Sequence, residues 1–96
     1  MVRLVVTGVE RMRDAEGNVR LAALHGINAQ RHWRLTLPEA LLALRTGRYA
    51  FDVDCQGERR RAEVVITDGS EHLSARSPAH GNLFDVLPDV YAQTST

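Results

Sequence analysis

His32-Trp33-Arg34-Leu35-Thr36-Leu37-Pro38-Glu39-Ala40 decides the architecture, because a strand gives way there to the one substantial helix the chain encodes. Arg31 to Leu35 alternates, placing Trp33 and Leu35 on one face and His32 and Arg34 on the other. Thr36 and Glu39 have the spacing of a capping box, in which the hydroxyl takes a first-turn N–H and the carboxylate reaches back to the cap's own N–H. Pro38 falls in that first turn, where a missing N–H costs nothing. The helix is predicted from Leu37 to about Thr46, with Gly47 as its left-handed cap and Arg45 complementing the negative end of the dipole. Leu37, Ala40, Leu41 and Leu44 form its apolar face, and Leu42 projects roughly 100° or more away. Leu42 is therefore covered by something else or exposed.

Upstream, residues 2–11 begin as a strand with Val2, Leu4 and Val6 on one face and Val5, Thr7 and Val9 on the other, a pattern that predicts cover on both sides. Asp14-Ala15-Glu16-Gly17-Asn18 is a turn, and Val19 to His25 is the returning strand, ended by Gly26. Ile27-Asn28-Ala29-Gln30 reads as a connecting loop.

Downstream, Arg48 to Cys55 alternates, with Tyr49, Phe51, Val53 and Cys55 together and Ala50, Asp52 and Asp54 opposite. A two-residue loop at Gln56-Gly57 sets Asp54 against Arg59, Asp52 against Arg61, Phe51 against Ala62 and Tyr49 against Val64. Asp68-Gly69 is a type I′ signal that sets Ile66 against Glu71, Val64 against Leu73 and Ala62 against Ala75, on the inner face. A three-stranded meander follows from these registers. Ser77 to Gly81 is loop, and Asn82 to Pro88 is a short amphipathic segment whose Leu83, Phe84 and Leu87 suit the covering of Leu42 or of the first strand.

The fold expected is α+β: an antiparallel sheet of five or six strands curled around one helix, in the order β-β-β-α-β-β-β with a short C-terminal segment. The nearest alternative is a β-grasp-like variant with a hairpin on either side of the helix. At 96 residues the chain reads as one domain, residues 1–91, with a frayed tail at 92–96.

Residues from Trp33 to the Glu39-Ala40 helix start carry a resemblance that extends over most of the chain. It adds Gly26-Ile27-Asn28, Gly47 before Tyr49 and Phe51, the terminal hairpin, and Asn82 ahead of Leu87-Pro88. In these features the chain resembles the small bacterial family catalogued as domain of unknown function 3892. That family typically ends with paired asparagines and a Leu-Pro-Glu-Cys motif, where this chain has one Asn82 and Leu87-Pro88-Asp89-Val90. The resemblance implies a compact bacterial domain and no particular activity.

Composition narrows the function classes. Formal net charge is zero, which argues against a non-specific nucleic-acid or membrane binder. All twelve basic residues are arginine, a bias that genomic base composition explains. No apolar run approaches the roughly 18–20 residues of a membrane span, and the first residues are too strand-like for a signal peptide, so a cytoplasmic location is expected. The single Cys55 forms no internal disulfide and suits a reducing compartment.

No reaction centre emerges from the motifs. His25, His32, His72 and His80 lack the close spacing of a zinc site, with His72 facing outward beside Val65. Cys55 alternates with Val53 and Phe51 on the inner face, which suits packing better than nucleophilic work. Asp52 and Asp54 each have an arginine opposite, and Glu71 points inward near the end of an edge strand, where it discourages edge pairing. No phosphate-binding loop or nucleophile elbow is present. The expectation is a non-catalytic interaction domain with no cofactor and no metal, binding another protein or its own copy. Its contact is an exposed sheet edge or a surface of Leu42, Leu83, Phe84 and Leu87. The alternative is a small nucleic-acid-binding protein using a patch of Arg31, Arg34, Arg60 and Arg76.

Overall fold

In the computed structural model, which describes residues 2–90, the chain runs β1 (Val2–Arg13), β2 (Val19–Asn28), β3 (Arg31–Thr36), α1 (Leu37–Arg45), β4 (Tyr49–Cys55) and β5 (Glu58–Arg61). It continues through β6 (Glu63–Thr67), β7 (Ser70–Ser74), the two-residue strands β8 (Arg76–Ser77) and β9 (Gly81–Asn82), and α2 (Leu83–Val86). The expected frayed tail at 92–96 lies outside the described residues.

Five strands form one open sheet in the order β3-β2-β1-β4-β5. The coarse α+β expectation holds, and its finer form needs correction. The sheet is mixed, because β1 and β4 pair in parallel from Val2↔Tyr49 to Val6↔Val53 while the other neighbours are antiparallel. Nor is it curled closed around the helix: β3 and β5 remain as edges. A hairpin thus stands on either side of α1, and the helix is the crossover between the two.

The helix begins as its sequence dictates. Thr36 Oγ1 accepts from the Glu39 N–H at 3.3 Å, and the Glu39 carboxylate accepts from the Thr36 N–H at 2.8 Å. Gly47 follows the last turn at φ 72°. Ala40 and Ala43 are the buried residues at the centre of its inner face, while Leu37, Leu41 and Leu44 flank them half-buried. Small residues there let the helix lie close to the sheet.

The apparent two-sided burial of β1 has a different cause. Leu4 and Val6 face the core, and a register shift between Val6 and Gly8 then brings Val9, opposite Leu24, into the same core. The bulge changes the parity of the strand, so a single layer covers residues that strict alternation assigns to opposite faces. Thr7 is exposed.

Gly26 does not end β2. It sits inside the strand between Val6 and Trp33, and the turn comes later, at Ala29 and Gln30, both with positive φ (51° and 66°). What looks like a loop from Ile27 is strand plus a two-residue turn.

The meander also divides. Asp54↔Arg59 and Asp52↔Arg61 pair as expected, and the Ala62 N–H still donates to the Phe51 carbonyl at 2.9 Å. Beyond Ala62 the chain leaves the sheet, and β6 and β7 form a separate ribbon with Ile66↔Glu71 and Val64↔Leu73 opposed. Geometry supplies the reason. A single helix with its side chains is roughly 10–12 Å in diameter, and five strands span roughly 19 Å across, so α1, which meets β2, β3 and β4, leaves apolar surface on β4 and the far half of β1 open. Ala62, Leu73, Ala75, Leu83, Phe84 and Leu87 close that part of the core. Ile66, expected inside, is 70% exposed at the end of the ribbon.

The C-terminal segment is held by named bonds. Asn82 Oδ1 accepts from the N–H groups of Ala75 (3.0 Å) and Phe84 (3.2 Å), joining the ribbon to α2. Arg11 Nη2 donates to the carbonyls of Phe84 (2.7 Å) and Leu87 (3.0 Å), which the end of α2 leaves unsatisfied. Where β4 has ended, Pro88 to Val90 take up the free edge of β1 through Val9.

Candidate functional site

β3 is an outer strand with no neighbour on one side among the described residues. Its alternation gives that edge two unlike faces. Trp33 and Leu35 are half-buried on the core side, and His32 and Arg34 are exposed on the other. Next to Trp33 and Leu35 a groove of about 520 Å³ runs across the end of the sheet, floored by Val2, Leu4 and Tyr49 and bordered by Arg31, His32 and Arg34. None of its lining residues is acidic.

Trp33 holds its place because Gly26 has no side chain. A Cβ at Gly26 would stand 2.6 Å from Trp33 Cζ2 and 2.1 Å from the Val5 carbonyl oxygen. The indole lies over the strand and meets Phe51 at a ring-centroid distance of 6.0 Å, with Tyr49 on Phe51 at 6.3 Å. Its Nε1 is buried without a hydrogen-bond partner among the described residues.

On the opposite face of the same strands a polar chain runs Glu10–His25–His32, with Arg34 beside it. Arg34 Nε donates to Glu10 Oε2 at 2.5 Å and Arg34 Nη2 to Oε1 at 3.2 Å; His25 Nε2 meets the same carboxylate, and His25 Nδ1 lies 2.9 Å from His32 Nε2. Hydrogen bonds from Arg34 and then His25 hold the Glu10 carboxyl down at about 2. The ionised carboxylate only accepts, so His25 Nε2 carries a proton, and one further proton sits between His25 Nδ1 and His32 Nε2. His25 is buried, opposite Gly8, whose missing side chain leaves room for Val90.

A second polar cluster surrounds Glu58. Ser77 Oγ donates to its carboxylate, His80 Nδ1 lies 2.6 Å from Oε2, and Arg60 Nη2 donates to Oε1 at 3.0 Å. The Ser77 bond, then those of His80 and Arg60, hold Glu58 at about 2. Serine and histidine both address the carboxylate and not each other, so the cluster does not pair a nucleophile with a base. Burial pushes the Cys55 thiol up, the opposite of activation.

The other residues singled out in the sequence fall as follows. Leu83, Phe84 and Leu87 are buried in the chain's own core and present no contact surface; of that group only Leu42 is exposed, at 57%. Arg31 and Arg34 lie on β3, Arg60 on β5 at the opposite edge, and Arg76 on β8, so the four do not gather into one patch. Arg59 pairs with Asp54 at 3.1 Å, but the partner of Asp52 is Arg3 on β1 at 2.8 Å, not Arg61. Glu71 is bound by Arg45 from the last turn of α1, with Nε at 3.3 Å, and so ties the ribbon to the helix. No group of three or more His, Cys, Asp or Glu side chains able to hold a metal ion occurs among the described residues. No helix of the described residues is long and apolar enough to cross a membrane.

The groove was not legible in advance. Its walls come from the ends of four strands, and the only local signal is the juxtaposition of Gly26 with a tryptophan seven positions on. No family model, curated protein or solved structure matches the chain.

Proposed function

We infer that the protein is a non-catalytic interaction module that binds another polypeptide along β3. The observation that carries this reading is a strand edge, unpaired among the described residues, lying directly beside an apolar groove floored by side chains of β1 and β4. An exposed edge offers backbone donors and acceptors in a row, and an adjoining groove supplies side-chain selectivity. The polar clusters do not assemble a reaction centre, which is why binding is preferred to catalysis.

A photo-cross-linking residue placed at Ile27, exposed next to His32 in the register, tests the reading in cells. A discrete protein adduct is expected there, and none from the same residue at Glu16 in the turn after β1. Adducts of equal pattern at both positions, or none at Ile27, would refute it. An adduct of twice the chain mass identifies its own copy as the partner, and light scattering of the purified protein then reports a dimer.

A further inference from the structure

Building on the strand-edge reading, we propose that the segment received by β3 is an extended stretch of another protein in which acidic and apolar residues alternate. Cross-strand neighbours on one face of a sheet interact directly, so the two faces of β3 specify the two faces of whatever is added to it. On the core side an incoming strand meets Trp33, Leu35 and the groove, which suit apolar side chains. On the other side it meets His32 and Arg34, which suit carboxylates. Arg34 spends Nε and Nη2 on Glu10, and Nη1 makes no hydrogen bond among the described residues. Arg31, at the groove's border, has no ion-pair partner there either.

The same sheet already shows this chemistry inside the molecule. β4 reads Phe51-Asp52-Val53-Asp54, its apolar residues in the core and its aspartates bound to Arg3 and Arg59 on the neighbouring strands. A partner strand of that pattern would repeat on β3 what β4 does between β1 and β5. The charge pattern also disfavours a second copy. β3 paired antiparallel with a second β3 about Trp33 sets His32 of each copy against Arg34 of the other with no acid in either strand, and like charges directly opposite destabilise a pair.

The probe is the blocked hexapeptide acetyl-Val-Asp-Phe-Asp-Val-Asp-amide, titrated into the whole protein while the emission of Trp33, the only tryptophan and a wall of the groove, is followed. Saturable binding is expected, weakened at least tenfold when the aspartates become arginines and lost when alternate backbone nitrogens are methylated. His32→Glu, at an exposed residue on the face that would meet the aspartates, should weaken the aspartate peptide severalfold and strengthen the arginine peptide. Equal binding of the two peptides within twofold overturns the acidic preference, while loss on N-methylation would still support strand addition. Equal binding of the methylated peptide overturns strand addition itself. No binding of any peptide at millimolar concentration overturns the proposal and leaves the arginines as guards of the edge.

Discussion

Gly26→Ala is the substitution that tests the architecture most directly. Gly26 has no positive φ to explain it; its requirement is space. An added Cβ would lie 2.1 Å from the Val5 carbonyl oxygen and 2.6 and 2.7 Å from two atoms of the Trp33 ring. A ring can tilt, but the Val5 oxygen is backbone of the central strand and cannot yield without disturbing the β1–β2 pairing. Overpacking with one methyl group ordinarily costs about 1–3 kcal/mol, and a backbone obstruction at that separation puts Gly26→Ala at the upper end, about 3 kcal/mol or more. For a domain of this size that corresponds to a Tm lowered by on the order of 10–20 °C. Gly17→Ala is the control, since nothing lies within 4 Å of its Cβ position and its positive φ of 85° alone is at issue, a cost of about 1 kcal/mol. Urea and thermal denaturation followed by Trp33 fluorescence measure both. A Gly26→Ala loss below about 0.5 kcal/mol, or one no larger than that of Gly17→Ala, would refute the placement of Trp33 over Gly26.

Asn82→Ala removes the oxygen shared by the Ala75 and Phe84 N–H groups and should cost about 1–3 kcal/mol in urea denaturation, with Asn82→Asp recovering most of it. Glu10 titrates near 2 when folded against an ordinary 4.5, so its contribution to stability is complete above about pH 4.5 and is lost as pH falls toward 2. After allowance for the solvent that reaches Arg34, that contribution is about 1–2 kcal/mol, and the difference between wild type and Glu10→Gln should shrink over that window. Because Glu58 titrates in the same window, only that difference, not the raw acid limb, isolates Glu10. Cys55 is buried with its thiol pushed up by burial, so a thiol reagent should modify the native chain far more slowly than the denatured one; equal rates would contradict its burial.

Local chemistry was readable where neighbours in sequence act on each other. The Thr36–Glu39 cap, the Gln56-Gly57 and Asp68-Gly69 turns and the pairs they set all depend on residues a few positions apart. The turn at Ala29-Gln30 escaped because neither residue is a usual occupant of positive φ; strand pairing on both sides imposes that conformation. The bulge after Val6 escaped because alternation alone cannot show where it is interrupted. Leu83, Phe84 and Leu87 were legible as an apolar group but not as core, since only the short span of α1 across the sheet reveals how much surface they must cover.

The candidate site divides in the same way. Which faces Trp33, Leu35, His32 and Arg34 occupy follows from the period of the strand. That β3 is an edge, that Val2 and Tyr49 come beside Trp33, and that Glu10 reaches Arg34 follow from the order β3-β2-β1-β4-β5. The sequence by itself determined the helix, its cap, the turns at Gln56-Gly57 and Asp68-Gly69 and the faces of β3 and β4, because capping, turn geometry and side-chain alternation act over a few residues. Tertiary structure alone decided the parallel pairing of β1 with β4, the departure of β6 and β7 from the sheet and the opening of the groove. Those outcomes depend on which strand edges and apolar surfaces remain to be satisfied after the local elements have formed.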